Sequence, residues 1–229
     1  MTRDRLTPLQ RRILRALTPL DPSWTLTGGG ALAGVYLGHR TTRDLDLFWR
    51  ERAALGRTVA DAQALLRADG LGVVVLRTSP LFAELRVSDP SDVCVVDLVA
   101  EPGSALEPPR PATIDGTEIY VDSMHEILVA KLTALLGRTE IRNLVDVQAL
   151  LAAGMDLTAA LRDAPRKDGG FSAMTLAWVL HSFDPRPLAL ALGETEEHAS
   201  RLDVFRVDLI EQLTRATLPN DVDRHEPLG

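Results

Sequence analysis

The chain is poor in cysteine and in lysine. Cys94 is its one cysteine, which excludes an internal disulfide and fits a reducing compartment. Of the 25 lysines and arginines, only Lys131 and Lys167 are lysines. Basic positions default to arginine, so a retained lysine suggests a need for a compact point charge. No apolar run approaches the roughly 18 residues of a membrane span, and no charged-then-apolar leader is present. The chain therefore reads as soluble and cytoplasmic, with no membrane partner. No internal repeat or low-complexity tract occurs. His39, His125 and His181 have no cysteine partners and no zinc-ligand spacing. The net charge of −7 argues against broad nonspecific nucleic-acid binding but leaves room for a local basic groove.

At 229 residues, the chain can bury a substantial core. Apolar spacing predicts a helix over 5–18, a strand over 24–27, a helix over 31–37, a strand over 44–49 and a helix over 53–68. Strands follow at 72–78, 81–88 and 92–99, then a proline-rich loop over 101–111 and a hairpin over 113–121 around Asp115-Gly116. Ser123 with Glu126 forms a capping-box pattern that opens a helix to about residue 136. Further helices are expected at 141–153, 156–163, 170–182 and 197–216, before a polar tail from 219. The fold class is α+β: a small mixed sheet flanked by helices over 1–121, then a helical region over 122–229.

The stretch TGGGALAGVYLGHRTTRDLDLFW, residues 27–49, holds the first chemical signal. On a strand, Asp44, Asp46 and Phe48 share one face, with the two carboxylates roughly 6–7 Å apart. Unpaired they repel; a hard divalent cation such as Mg²⁺ or Mn²⁺ relieves the conflict. An exposed face with each Asp paired to Arg40 or Arg43 is equally compatible. Asp97, in the strand-like VCVVDLV, is a third acid. A lone carboxylate there is costly unless paired or metal-bound. Upstream, Gly28, Gly29 and Gly30 let backbone N–H groups approach phosphates. Together these residues suggest metal-assisted chemistry on a triphosphate. Cys94 alternates away from Asp97 and reads as core.

GGGAL, YLGHR and RDLDLF, with the later HEILVAKLTALLGRTEIRNLVDVQAL, resemble the AbiEii/AbiGii-type nucleotidyltransferase toxins. These belong to the DNA polymerase beta-like superfamily and include the MenT toxins. The resemblance covers about residues 24–150. It implies a nucleotidyltransferase core with Asp44, Asp46 and Asp97 as catalytic metal ligands. Gly28, Gly29, Gly30, Arg40, Lys131 and Arg138 would bind nucleotide, with Lys131 also catalytic. Asp146 would orient Lys131 or Arg142, although an intrahelical Arg142–Asp146 pair fits as well. The helical region is expected to contribute Lys131, Arg138 and Asp146 to the cleft. If Lys131 and Arg138 share one helix face, an anion beside them would relieve their repulsion. The chain departs from the family pattern in four places. Gly29 replaces a serine, Gly30 stands where a small hydroxyl residue often sits, Thr42 replaces a serine, and Asn143 replaces an acid.

The implied activity is Mg²⁺- or Mn²⁺-dependent transfer of a nucleoside monophosphate from an NTP to an acceptor hydroxyl. The acceptor expected from the family is RNA, at the tRNA 3′ end, with the protein acting as a growth-inhibiting toxin beside a cognate antitoxin. A small-molecule acceptor of aminoglycoside type, or a protein side chain, is one alternative. A nucleotide- or antitoxin-binding protein without turnover is another. Two charge runs bear on partners. Arg3, Arg5, Arg11, Arg12 and Arg15 face a single acid, Asp4, and read as a solvated helix face or an RNA patch. Residues 194–229 carry nine acids against four arginines and should not bind RNA.

Overall fold

The computed structural model describes residues 5–217. The chain forms two compact units, Met1–Ala130 and Lys131–Gly229. The boundary falls inside a helix, nine residues beyond the sequence expectation at 121/122. Arg3, Asp4 and the tail from 219 lie outside the described residues.

The first unit is built on seven strands: β1 (Thr25–Thr27), β2 (Asp44–Arg50), β3 (Gly72–Thr78), β4 (Phe82–Ser88), β5 (Val93–Glu101), β6 (Arg110–Ile114) and β7 (Thr117–Val121). They join in one sheet, ordered β3-β4-β5-β2-β1-β7-β6. The sheet is mixed: β2 runs parallel to β5 and β1 to β7, while the remaining neighbours are antiparallel. Alternation gives the central strands two unlike faces. Leu45, Leu47 and Trp49, with Leu85, Val96 and Leu98, lie on the fully buried face. Each leucine buried there contributes about 2 kcal/mol. Asp44, Asp46, Phe48 and Arg50 lie on the half-buried face.

Helix α1 (Pro8–Leu17) opens with a full capping box. Thr7 accepts from the Gln10 N–H, the Gln10 side chain returns to Thr7, and Pro8 sits in the first turn. Its buried leucines and Ile13 pack on α3 (Thr58–Ala68), and α1 reaches β5. The α3 helix starts five residues later than its apolar pattern suggests. Gly56 turns there at φ 56°, and the Leu55 N–H bonds the Pro80 carbonyl at 2.7 Å. Asp115 and Gly116, both at positive φ, close the β6–β7 hairpin as a two-residue turn of the favoured hand. Pro111 is tolerated because β6 is an edge strand.

Helix α4 (Met124–Gly137) begins in the first unit and ends in the second. The second unit is helical: α5 (Ile141–Ala152), α6 (Leu157–Asp163), α7 (Ala173–His181), α8 (Pro185–Ala191) and α9 (Glu196–Ala216). Asp156, Ser172, Asp184 and Thr195 cap the last four. The α9 helix packs on α5, α7 and α8 and buries Leu202, Leu209 and Leu213. The α8 helix escapes the apolar periodicity because it is short and holds two prolines; its Asp-Pro start is its only sequence signal. No described helix is long and apolar enough to cross a membrane.

Candidate active site

The glycines are the first turn of a helix, not a loop before one. Helix α2 (Gly28–Ala31) runs into a widened turn, Leu32–Tyr36, where the Leu37 N–H bonds the Leu32 carbonyl at 2.8 Å. The three glycines meet different constraints. Gly28 sits at φ 58°, and a Cβ there would overlap Asp46 Oδ2. At Gly29 a Cβ would lie 2.9 Å from Thr42 Oγ1 and 3.1 Å from Arg40 Nη2. The Cβ direction of Gly30 points to Leu26 and Leu45, both at 3.1 Å, so its smallness serves packing. The serine expected at residue 29 has no room here.

Thr42 takes over the missing hydroxyl's local work. It is buried, its carbonyl accepts from Gln10 Nε2 at 2.9 Å, and its hydroxyl donates to Asp44 Oδ1 at 2.5 Å. Asp44 is thereby oriented from the segment just before its own strand. Arg40 lies beside Gly29 and donates to the Thr41 carbonyl at 3.0 Å.

Strand pairing brings the acids together. Asp46 on β2 is the register partner of Asp97 on β5. Asp97 is in turn opposite Glu84, Glu84 opposite Arg77, and Asp46 opposite Thr27. One rung across five strands therefore reads Arg77, Glu84, Asp97, Asp46, Thr27, with Gly28 immediately following. Sequence reasoning missed Glu84. Its only signal was an acid inside the apolar run FAELRV, which becomes meaningful once the register of β4 is known. Glu84 is held by Arg77, with an Nε–Oε2 distance of 2.5 Å.

Burial pushes the Asp97 carboxyl up to about 7; Asp46, Glu84 and Asp44 add to the rise and Arg77 opposes it. Asp97 Oδ1 is buried and accepts no hydrogen bond. An orphaned, charge-crowded carboxylate oxygen fits a divalent cation. Among the described residues, the acids form a row and not a closed metal-holding cluster. Cys94 faces the buried side, where desolvation pushes its thiol up to about 12, as expected for a core residue.

A second charged cluster lies farther along the same face. Arg50 bonds Glu101 and lies 2.5 Å from Asp122 Oδ2 and 3.5 Å from Glu126 Oε1. Asp122 and Glu126 are fully buried. Burial raises the Asp122 carboxyl, and Arg50 opposes this most. Ser123 caps α4 as expected, accepting the Glu126 N–H at 3.1 Å. The Glu126 carboxylate, however, accepts from the Leu106 N–H at 2.6 Å, which ties down the proline-rich loop.

In the second unit, Lys131 Nζ is 2.9 Å from Asp146 Oδ2 and 3.3 Å from Asn143 Oδ1. Lys131, one of the two partners considered for Asp146, is thus at ion-pair distance from it. Asn143 and Asp146 are buried, so a second acid at 143 would crowd one ammonium with two carboxylates. Arg138 stands just past the end of α4, its N–H still bonded to the Ala134 carbonyl at 2.8 Å. Helix α4 ends at Gly137, and Arg138 is exposed beside Glu140 at 3.6 Å. Arg142 is exposed and also lies 3.6 Å from Glu140.

Three of the N-terminal arginines are engaged within the fold. Arg5 bonds the Gly38 carbonyl at 3.1 Å, Arg11 bonds Asp115 at 2.9 Å, and Arg12 bonds Asp69 at 2.6 Å. Arg15 on α1 is exposed.

The site is thus a glycine turn against a strand carrying Asp-x-Asp, with a third acid on the neighbouring parallel strand. An H. pylori protein assigned as a nucleotidyltransferase superposes with a TM-score of 0.53 at 19% identity, over 92% of this chain and 96% of its own. JHP933 from Helicobacter pylori gives 0.49 at 20% identity, over 90% and 91%. No curated protein matches the chain. The family model "Nucleotidyl transferase AbiEii toxin, Type IV TA system" matches residues 12–225. The chain belongs to this family and is a nucleotidyltransferase.

Proposed function

We propose that the protein transfers a nucleoside monophosphate from an NTP to an RNA hydroxyl, at the tRNA 3′ end, in a Mg²⁺- or Mn²⁺-dependent reaction. The observation that carries this reading is the register of Asp46 with Asp97, beside a glycine that admits no side chain. Asp44, Asp46 and Asp97 would hold the metal, which supplies charge neutralisation on the triphosphate and on the attacking oxygen. Gly28 and Gly29 leave backbone room for phosphate, with Arg40 beside them. The acceptor hydroxyl attacks the α-phosphorus in line, Asp97 takes its proton, and pyrophosphate leaves. Lys131, oriented by Asp146 and Asn143, neutralises phosphate charge; exposed Arg138 assists. On this reading the protein is a cytoplasmic toxin controlled by a cognate antitoxin.

The test is incubation with each labelled NTP and total RNA. Label in RNA, lost in Asp44→Ala and Asp46→Ala together with cell toxicity, is the expected result. Label on a small molecule or protein instead would move the acceptor away from RNA. Toxicity that survives both substitutions would remove catalysis from the toxic role.

A further inference from the structure

On the half-buried face the inner strands β2 and β5 carry Asp44, Asp46, Arg50, Asp97 and Glu101, whereas the outer strands β3 and β4 carry Arg77, Glu84 and Arg86. Arg77 is occupied: it holds Glu84 and lies over the Phe82 ring, 5.5 Å from its centroid. Arg86 is exposed and has no hydrogen-bond or ion-pair partner among the described residues.

The position of Arg86 follows from register. Val74, Arg86, Val95 and Asp44 form the rung next to the acid row. Arg86 is thus a diagonal neighbour of Asp97, at about 7–8 Å between backbones, within reach of a long side chain. On the same face Val74 is 47% exposed and Val93 is 55% exposed. Strand β3 is the sheet's edge. An acceptor arriving over that edge meets an unspent guanidinium between exposed valines, beside a Glu84 already held by Arg77, before it meets the carboxylates of β2 and β5. A cationic acceptor would be repelled there. A phosphate strand, with a guanidinium for its backbone and apolar ground for its bases, is complementary.

We infer that the acceptor approaches across β3 and β4 as a single nucleic-acid strand, and that Arg86 is the positioning residue for its phosphate. This rests on the RNA-directed reading above, but it can be tested without turnover. Binding of a labelled single-stranded RNA oligonucleotide to the full chain is measured against salt, in the absence of NTP. For Arg86→Ala the expected result is about 5- to 10-fold weaker binding at low salt. The slope of log affinity against log salt should also fall by about 0.7, one phosphate contact. Arg86→Lys should keep the slope, and NTP affinity and melting temperature should match wild type. Unchanged oligonucleotide affinity and slope in Arg86→Ala overturn the inference, as does a wild-type protein that binds a cationic peptide but no RNA. The labelled-NTP assay separates the two failures. RNA labelling with an RNA KM unaltered by Arg86→Ala removes Arg86 and leaves the transferase reading standing. No labelling of any acceptor removes the transferase reading, while the binding data still decide Arg86.

Discussion

Asp46 and Asp97 face each other across two neighbouring parallel strands, and Glu84 stands on the far side of Asp97. Three carboxylates stand in one rung, and Arg77 holds the outermost, Glu84. Burial first, and then the neighbouring carboxylates, push Asp97 up to about 7.

Stability should record that shift. The folded Asp97 binds its proton more tightly than the unfolded chain, whose reference value is 3.8. Unfolding therefore releases a proton between those values, and stability falls as pH rises through the window from 3.8 to about 7. The melting temperature of metal-free wild type should drop across this window. Asp97→Asn should flatten the drop and melt higher than wild type at pH ~8. Mg²⁺ should raise the wild-type midpoint more above the window than below it, because only the ionised carboxylate binds metal. Thermal melts at stepped pH, with and without Mg²⁺, check each point. A flat wild-type profile would contradict the assigned burial of Asp97.

Gly28 and Gly29 predict two kinds of loss. Gly28→Ala strains a left-handed backbone by about 1–2 kcal/mol and pushes Asp46 off its place. Displacing a reacting-site carboxylate in this way should cost activity on the order of 10²-fold. Gly29→Ser puts back the hydroxyl common in the family, yet it should lower activity. Its Cβ would crowd Thr42, whose hydroxyl orients Asp44. Steady-state kinetics of both variants decide this, and a gain in activity from Gly29→Ser would overturn the account of Thr42.

Arg50 lies against three carboxylates, two of them fully buried. Arg50→Met should leave Asp122 and Glu126 without their guanidinium and cost about 3–5 kcal/mol. Because those groups must then be neutral to stay buried, the loss should be larger at pH ~8 than at pH ~5. Urea unfolding at the two pH values measures the difference. The loop tied by the Leu106 N–H to Glu126 should also become more open to protease.

What could be read in advance divides along physical lines. Strand alternation and Asp-x-Asp spacing are local, so β2 through β5 and the facing of Asp44 with Asp46 were legible. The partnering of Asp97 with Asp46 depends on a crossover connection, and that of Glu84 depends on hairpin register; neither leaves a local mark. Heptad spacing reaches Arg138 just as α4 ends at Gly137, so the spacing alone does not fix that side chain's direction. The α1 arginines looked free because their partners, Asp69 and Asp115, are distant in sequence. The start of α1 was misjudged although Thr7-Pro8-Leu9-Gln10 spells a capping box.

Asn143 makes a final prediction, about charge balance. Lys131 has one carboxylate, Asp146, and one amide, Asn143, at its ammonium; both partners are buried. Asp146→Ala should strand the ammonium and cost about 3–5 kcal/mol, whereas the apolar double replacement Lys131→Met/Asp146→Leu should recover most of that loss. Asn143→Asp restores the family's acid but gives one ammonium two buried carboxylates. The new acid would have to stay protonated or be partly expelled, so the variant should be close to wild type at pH ~5 and less stable at pH ~8. Denaturant melts at both pH values test this. An Asn143→Asp protein at least as stable as wild type at high pH would mean that the neutral amide has no part in balancing Lys131.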